Sequence, residues 1–280
     1  MKRKQEALMR LLFLLTACVS VGAVALILWY LLSAGIPTIL KIGPGNFFGL
    51  VWRPGQGRFG IFPMLLGSLY VTAGALLVGI PLGLLCAIYL FRDCPKGLYR
   101  FLKPAVSLLA GIPSIVFGFF GLLVLVPMVQ RLTGSSGKGL LTASLLLGLM
   151  ILPTMITLAE SALRAVPDSC YEGSLALGAT HERSVFCAVL PAAAPGVLSG
   201  VILGMGRAIG ETMAVIMVAG NQAIPPAGLL RGLRTLTANI VLEMGYASGL
   251  HRQALIATGV VLLVFILLIN LCFSLLKRRS

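Results

Sequence analysis

Long apolar runs, most of them without a charged residue, constrain this chain more than any other feature. Residues 61–91 form 31 positions without a charge, and residues 11–32 form another 22. About 20 apolar residues are enough to cross the hydrocarbon core of a bilayer as an α-helix. Further apolar runs lie at about 104–130, 139–158, 195–219 and 254–276. We therefore predict an all-α integral membrane protein, with six transmembrane helices in a single domain over residues 1–280.

The composition excludes a soluble protein of this length. Hydrophobic residues make up 58% of the chain and charged residues 11%, and the mean hydropathy is +1.02. A soluble domain of 280 residues has no interior large enough for so much apolar surface. The net charge of +14 would suggest nucleic acid in a soluble protein, but here the basic residues fall between the apolar runs. We expect membrane lipid around the chain and no nucleic acid partner.

The basic residues also predict how the chain crosses the membrane. Six spans place both termini on the same side. If that side is the cytoplasm, 13 lysines and arginines lie inside and 8 outside, with Arg207 as the remaining one of 22. Because cytoplasmic loops are enriched in Lys and Arg, we predict that both termini are cytoplasmic. The polar connection at 160–190, between the fourth and fifth spans, is then cytoplasmic too.

One apolar run carries charges in its interior. Arg207 and Glu211 lie four residues apart in the 195–219 run, so on a helix they share a face and can pair. Arg207 follows Pro195 by twelve residues, which is about 18 Å of helix and close to mid-membrane. A charge at that depth is costly and is a functional-site hypothesis by default. A planar guanidinium is suited to a tetrahedral oxyanion, so we predict that Arg207 serves a functional site and that Glu211 holds it in place; an ion pair that only fixes helix packing is the alternative.

Other kinds of site find little support in the sequence. The six cysteines lack a C-x-x-C spacing, and the two histidines, His181 and His251, are far apart, so we predict no metal site. No G-x-x-x-x-G-K-[ST] sequence is present, so we expect no nucleotide site in this chain. A membrane-embedded enzyme, which is a different class, would need a cluster of histidines, carboxylates or a nucleophile with its base.

The cytoplasmic connection has the signals of two short helices. Ser169 and Glu172 have the spacing of a capping box, so a helix is predicted to start there. Gly178 is well placed to end it. Thr180 is suited to cap a second short helix that stops before Pro191. Two short helices would form a compact knob that docks into a partner, while a simple interfacial loop is the alternative.

Several charged residues outside these motifs carry weaker expectations. Glu160 and Arg164, four residues apart, are expected to form an interfacial pair. His181 is expected on a solvated face of the knob, and Glu243 and His251 have no readable role. The outer segment 221–253, with three arginines, would either guide an anion or a partner, or be ordinary loop charge.

The connection resembles a family. Glu172, Gly178 and the pair Leu190-Pro191 have the spacing of the EAA motif of ABC-importer permeases, with Gly173 and Ser174 in place of its two alanines. This resemblance implies that the loop holds a coupling helix, which sits in a cleft of a separate ATPase subunit. It also implies a fold like that of type I ABC importer permeases.

A narrower resemblance covers almost the whole chain. The segments Trp52-Arg53-Pro54, Gly111-Ile112-Pro113-Ser114 and Gly206 to Val215 are similar to the PstC-type permease subunit of phosphate-specific ABC transporters. The similarity implies import of inorganic phosphate across the cell inner membrane, with Arg207, Glu211 and Thr212 on the substrate pathway. It implies no cofactor on this chain and three kinds of partner: a PstA-type second permease, a PstB-type ATPase dimer that uses ATP, and a PstS-type phosphate-binding protein. A permease for sulfate or molybdate, or a signalling component, is the alternative.

Overall fold

The computed structural model describes the backbone of residues 2–279 and the side chains of Glu6 and of residues 9–275. The terminal charges that contributed to the predicted topology, Lys2, Arg3, Lys4, Lys277, Arg278 and Arg279, have side chains outside the described residues. The secondary structure within the described part is almost entirely helical, with a single short hairpin.

The helices follow one another along the chain with short connections. Their bounds are α1 (Lys2–Ile42), α2 (Pro44–Phe47), α3 (Phe62–Ile88), α4 (Lys96–Gly111), α5 (Ser114–Phe120), α6 (Val126–Thr133), α7 (Leu140–Arg164), α8 (Asp168–Ala176), α9 (His181–Ser184), α10 (Leu190–Gly210), α11 (Met213–Val218), α12 (Leu236–Met244) and α13 (Gly249–Arg279). Single π-helical segments extend or join some of these helices, at Tyr89–Asp93, Gly121–Leu125 and Val185–Val189. Between α2 and α3, strands β1 (Trp52–Arg53) and β2 (Arg58–Phe59) form an antiparallel hairpin in which Trp52 lies opposite Phe59.

The structure confirms the six predicted spans. The helical segments long and apolar enough to cross a membrane are Met9–Ile42, Phe62–Asp93, Ser114–Thr133, Leu140–Arg164, His181–Gly210 and Gly249–Leu275. We call the end of the bundle that carries β1, β2 and α12 the hairpin end. The opposite end, which carries α8 and α9, we call the coupling end.

The third span begins later than predicted. Ile112 and Pro113 have extended backbone, with ψ of 127° and 140°, so the helix breaks there and the span starts at Ser114. A proline disfavours the α conformation of the residue before it, which explains the break at Ile112. The predicted range 104–130 therefore joins two elements. One of them, α4, is a separate amphipathic helix that lies against α7.

Helix α7 is the centre of the bundle, and glycines let α10 approach it closely. A Cβ built on Gly196 would lie 2.5 Å from the Cβ of Ala162, and one on Gly200 would lie 3.2 Å from the Cβ of Leu158. In a membrane, where lipid is as apolar as leucine, small residues stabilise a helix pair by allowing close backbone contact. This contact holds α10, which carries Arg207, in a fixed register on α7.

We expect Gly67→Ala to destabilise the protein by about 1–3 kcal/mol, the usual cost of overpacking. Gly67 lies on α3 against the 233–234 segment, and an added Cβ would collide with the backbone carbonyl oxygen of Arg234. Thermal unfolding in detergent would measure the effect. The matched control is Gly22→Ala in α1, where nothing lies within 4 Å of an added Cβ. Equal melting temperatures for the two variants would contradict the close packing of α3 at Gly67.

The hairpin end is organised around the buried carboxylate of Glu243, which is 7% exposed. Its Oε1 accepts a hydrogen bond from Arg234 at 2.6 Å, and its Oε2 accepts one from the Trp52 indole at 2.9 Å. His251 Nε2 lies 2.8 Å from the same Oε2. The carboxylate thus ties α12 to the hairpin and to the start of α13. Sequence reasoning assigned no role to Glu243 or His251, because their partners are far away along the chain.

This arrangement leaves the surface of the hairpin end without an exposed acid. Glu243 is the single acidic residue of the loops and short elements there, and it is buried. The basic residues of that end are exposed, apart from Arg234: Lys41, Arg53, Arg58, Arg131, Lys138, Arg231 and Arg252.

Candidate functional site

The helix that carries Arg207 ends in the middle of the predicted fifth span. α10 stops at Gly210, Glu211 has extended backbone with φ of −69° and ψ of 130°, and α11 starts at Met213. Glu211 Oε1 accepts hydrogen bonds from the backbone N–H groups of Thr212 at 3.1 Å and Ala214 at 3.3 Å. Glu211 therefore satisfies free N–H groups at the start of α11, as capping side chains do.

The predicted ion pair between Arg207 and Glu211 is absent from the salt bridges of the described side chains. The i, i+4 argument assumed one continuous helix, and the break after Gly210 removes that geometry. Thr212 also stabilises the break, since its Oγ1 donates a hydrogen bond to the carbonyl of Gly210 at 3.2 Å. The three residues predicted for the pathway are thus separated: Arg207 lies on α10, while Glu211 and Thr212 shape the connection to α11.

Arg207 is half-buried and lies against α7. Its Nη1 donates a hydrogen bond to Thr154 Oγ1 at 3.4 Å, and it has no other hydrogen bond or ion pair within the described part of the chain. Thr154 precedes Arg164, the coupling-end residue of α7, by ten positions, which is about 15 Å of helix. Arg207 therefore lies near the middle of the span, and most of its donors are free.

An open groove of about 920 Å³ lies beside Arg207, between α7, α10 and α13. The residues that line it come from all three helices: Thr154, Leu158, Ser199, Ile202, Leu203, Gly206, Arg207, Asn270 and Ser274. The volume is ample for a small anion, since small-molecule sites usually measure about 300–1,000 Å³. Among the described residues, the groove combines one cation with several neutral polar groups in an otherwise apolar wall, which is suited to passing a small anion.

Sequence reasoning did not identify Thr154, Ser199, Asn270 or Ser274. Asn270 and Ser274 could have been noticed in the sequence, because they are polar residues inside a run with no charges. Polar side chains in a span usually face other protein groups or a water-filled cavity rather than lipid. The sequence could not show that they face the same cavity as Arg207, because that depends on how α13 packs on α10.

The predicted coupling loop forms two short helices, α8 and α9. Gly178 has a φ of +85° directly after α8, as expected of a residue that ends a helix, and Thr180 Oγ1 accepts from the N–H of Arg183 at 3.3 Å. The predicted capping box is not formed, because α8 begins one residue earlier, at Asp168, after Pro167. The second helix does not stop before Pro191, since it continues through Val185–Val189 into α10.

The EAA-like residues occupy the exposed side of this loop. Glu172, Gly173 and Gly178 are exposed and Ser174 is half-buried, while Leu190 and Pro191 form the first turn of α10. Leu177, at 91% exposure, projects from the same surface.

A hydrogen-bonded chain fixes the loop to the end of α3. His181 Nδ1 lies 2.5 Å from the Tyr171 hydroxyl, and His181 Nε2 lies 2.6 Å from Asp93 Oδ1. Arg92 lies 4.0 Å from the centre of the Tyr171 ring and donates to Asp168 at 3.2 Å. His181 thus links α8, α9 and the π-helical segment after α3, and its side chain, 37% exposed, also faces solvent as predicted. These contacts join α8 and α9 to the end of α3.

The expected pair of Glu160 and Arg164 is present, and it belongs to a larger cluster. Glu160 is 2% exposed and accepts hydrogen bonds from Arg164 at 2.9 Å, Lys103 at 2.6 Å and Tyr99 at 2.8 Å. Lys103 and Tyr99 belong to α4, so the carboxylate attaches that helix to α7 at the coupling end.

Six spans, a break beside a central arginine and two short helices at one end define a class of protein. The fold is that of type I ABC importer permeases: a solved alginate ABC transporter, crystallised with its periplasmic protein, matches over 95% of this chain and 94% of its own, with a TM-score of 0.65 and 17% identity. The chain belongs to the family of binding-protein-dependent transport system inner membrane components, whose model matches residues 79–280.

Two curated relatives extend the comparison. A probable ABC transporter permease, YqgH of Bacillus subtilis, is 38% identical over 92% of this chain and 88% of its own length. The phosphate transport system permease PstC of Mesorhizobium japonicum is 35% identical over 78% of this chain and 73% of its own. The protein is therefore a multi-pass membrane subunit of an ABC importer, with a transport role rather than a catalytic one.

Proposed function

We propose that this chain is the PstC-type permease subunit of an importer for inorganic phosphate. The observation that carries the proposal is the single arginine at mid-membrane, whose free donors face a groove lined by neutral polar groups. A planar guanidinium binds a tetrahedral oxyanion through two parallel hydrogen bonds. The relative named PstC, a phosphate transport system permease, supports phosphate as the anion.

The same proposal orients the chain and assigns its partners. The coupling end, with both termini, faces the cytoplasm, and the basic hairpin end faces outward in the inner membrane. A PstB-type ATPase dimer docks on α8 and holds the ATP, so this chain needs no cofactor of its own. A PstA-type second permease covers the remaining helix faces, and a PstS-type phosphate-binding protein docks at the hairpin end.

Transport follows from the contacts of the coupling loop. Closure of the ATPases on ATP moves α8, and the chain from Tyr171 through His181 to Asp93 carries that motion to α3. Because α3 and α10 both pack on α7, a shift of one helix changes the groove beside Arg207. The anion then meets Arg207 from one side of the membrane and leaves toward the other, held weakly enough to be released.

The test is uptake of labelled phosphate by proteoliposomes that contain the reconstituted four-component transporter, with ATP and with sulfate as competitor. Phosphate uptake that depends on ATP and is indifferent to excess sulfate is expected. Uptake of sulfate or molybdate in place of phosphate would support the assignment as an ABC permease and contradict the assignment of phosphate as its substrate. Absence of any uptake by an intact complex would favour the signalling alternative.

We expect Gly178→Val to uncouple the transporter. Gly178 has left-handed backbone that a β-branched residue adopts only at a cost of about 1–3 kcal/mol, so the turn after α8 would be reshaped. The measurement is the number of phosphate ions imported per ATP hydrolysed, and we expect it to fall severalfold. Gly97→Ala, at an exposed glycine of α4 with open space around it, is the control and should leave the ratio unchanged. Equal ratios for both variants would rule out this role of the turn.

A further inference from the structure

One wall of the groove that Arg207 lines belongs to α13. Asn270 and Ser274, four residues apart, lie on one face of α13 and both line the groove. Neither side chain has a hydrogen bond within the described part of the chain. A buried or membrane-embedded polar group without a partner is costly, so free groups that converge on a cavity point to a ligand that completes them.

We propose that Asn270 is a substrate-contacting residue: together with Arg207, which lines the same groove, its side-chain amide holds the anion in transit. The inference rests on the proposed function, since it takes an oxyanion as the ligand. It adds a third helix to the pathway, because Thr154 and Arg207 belong to α7 and α10 and Asn270 belongs to α13.

The chemistry of an amide suits this position. Phosphate near neutral pH carries both unprotonated oxygens and P–OH groups, so it needs donors and an acceptor. The Asn270 amide offers two N–H donors and a carbonyl acceptor, while Arg207 offers donors alone. The groove itself has no carboxylate among its lining residues, and Glu211 is occupied at the start of α11. The anion is therefore met by one positive charge and neutral groups, which favours passage over trapping.

The test is a series of Asn270 variants in the complete reconstituted transporter, with phosphate uptake as the readout. We expect Asn270→Ala to lower uptake about tenfold, the effect of losing one hydrogen bond to a charged ligand. Asn270→Asp should lower it further, because the new carboxylate would pair with Arg207 and repel the anion. Asn270→Gln should retain most activity. Leu268→Ala, at an exposed leucine of the same helix outside the groove, is the matched control.

A double variant distinguishes contact of Asn270 with the anion from an indirect structural effect of its substitution. If Asn270 and Arg207 hold the same anion, adding Asn270→Ala to the partly active Arg207→Lys should lower uptake by less than the tenfold expected in the wild-type background. Wild-type rates for both Asn270→Ala and Asn270→Asp, with Arg207→Gln inactive, would overturn the role of Asn270 and leave the proposed function intact. Should the wild type import sulfate instead, the proposed substrate fails, and the same series read by sulfate uptake still decides the role of Asn270.

A second readout does not depend on transport. With the six native cysteines replaced by alanine, Asn270→Cys should react faster with an anionic water-soluble thiol reagent than with a cationic one. Adding Arg207→Gln should remove that preference, and excess phosphate should slow the reaction. Equal rates with the two reagents, or the same behaviour at Leu268→Cys, would mean that Asn270 faces lipid or a partner rather than an anion path.

Discussion

Arg207→Gln should abolish phosphate uptake while the transporter still assembles. The variant keeps a polar but shorter side chain and removes the charge and the two-pronged donor geometry. Loss of two hydrogen bonds to a charged ligand, at about 1.5 kcal/mol each, corresponds to roughly a 100-fold lower rate. The measurement is ATP-driven uptake in proteoliposomes, with co-purification of the partner subunits as the check on assembly.

Two further variants serve as comparisons in this experiment. Arg207→Lys keeps the charge without the planar fork, so it should fall between the wild type and Arg207→Gln. Arg252→Gln removes an exposed positive charge at the hairpin end, and it should leave transport through the groove nearly unchanged at physiological salt. Normal uptake by Arg207→Gln would refute the groove as the phosphate path.

Glu243→Ala should cause the largest loss of stability of any single change at the hairpin end. It leaves Arg234, whose side chain is 16% exposed, without its carboxylate and removes the acceptor of the buried Trp52 indole. Removing one partner of a buried ion pair costs about 3–5 kcal/mol. A loss of 3 kcal/mol lowers the melting temperature of a domain of this size by roughly 6–12 °C. The measurement is thermal unfolding of the purified complex in detergent.

The controls for Glu243 test the cause of that loss. Glu6→Ala removes an exposed carboxylate of α1 and should shift the melting temperature little. The double variant Glu243→Leu with Arg234→Met replaces the pair by apolar groups and should recover part of the stability, because no charge is left buried alone. An unchanged melting temperature for Glu243→Ala would show that the remaining hydrogen bonds of Arg234, to Asn239 and to the carbonyl of Asn221, are enough to hold its charge.

The fold was largely readable from the sequence, because crossing a bilayer leaves few solutions. The number of spans followed from the lengths of the apolar runs, and the turn at Gly178 and the cap at Thr180 followed from local rules. The break after Gly210 was not readable, since glycines inside a span are common and only the capping of α11 by Glu211 reveals it.

The composition of the site was harder to predict than its position. Arg207 stood out because a charge inside a span is rare. Asn270 and the partners of Glu243 depend on which helix faces meet, over separations of up to 191 residues for Trp52 and Glu243. Such contacts arise from tertiary packing, and no local pattern of residue types encodes them.

Because Glu243 is buried, events at the surface of the hairpin end should depend on ionic strength. Since the only acid of the hairpin end is buried against Arg234 and His251, the field at that surface comes from seven exposed cations with no neighbouring negative charge to cancel it. Such a field reaches about 30 Å into a solution of 0.01 M salt and about 8 Å at 0.15 M. Delivery of an anion, or capture of an acidic protein surface, should therefore slow steeply as salt rises, whereas passage beside Arg207, inside the membrane, should not.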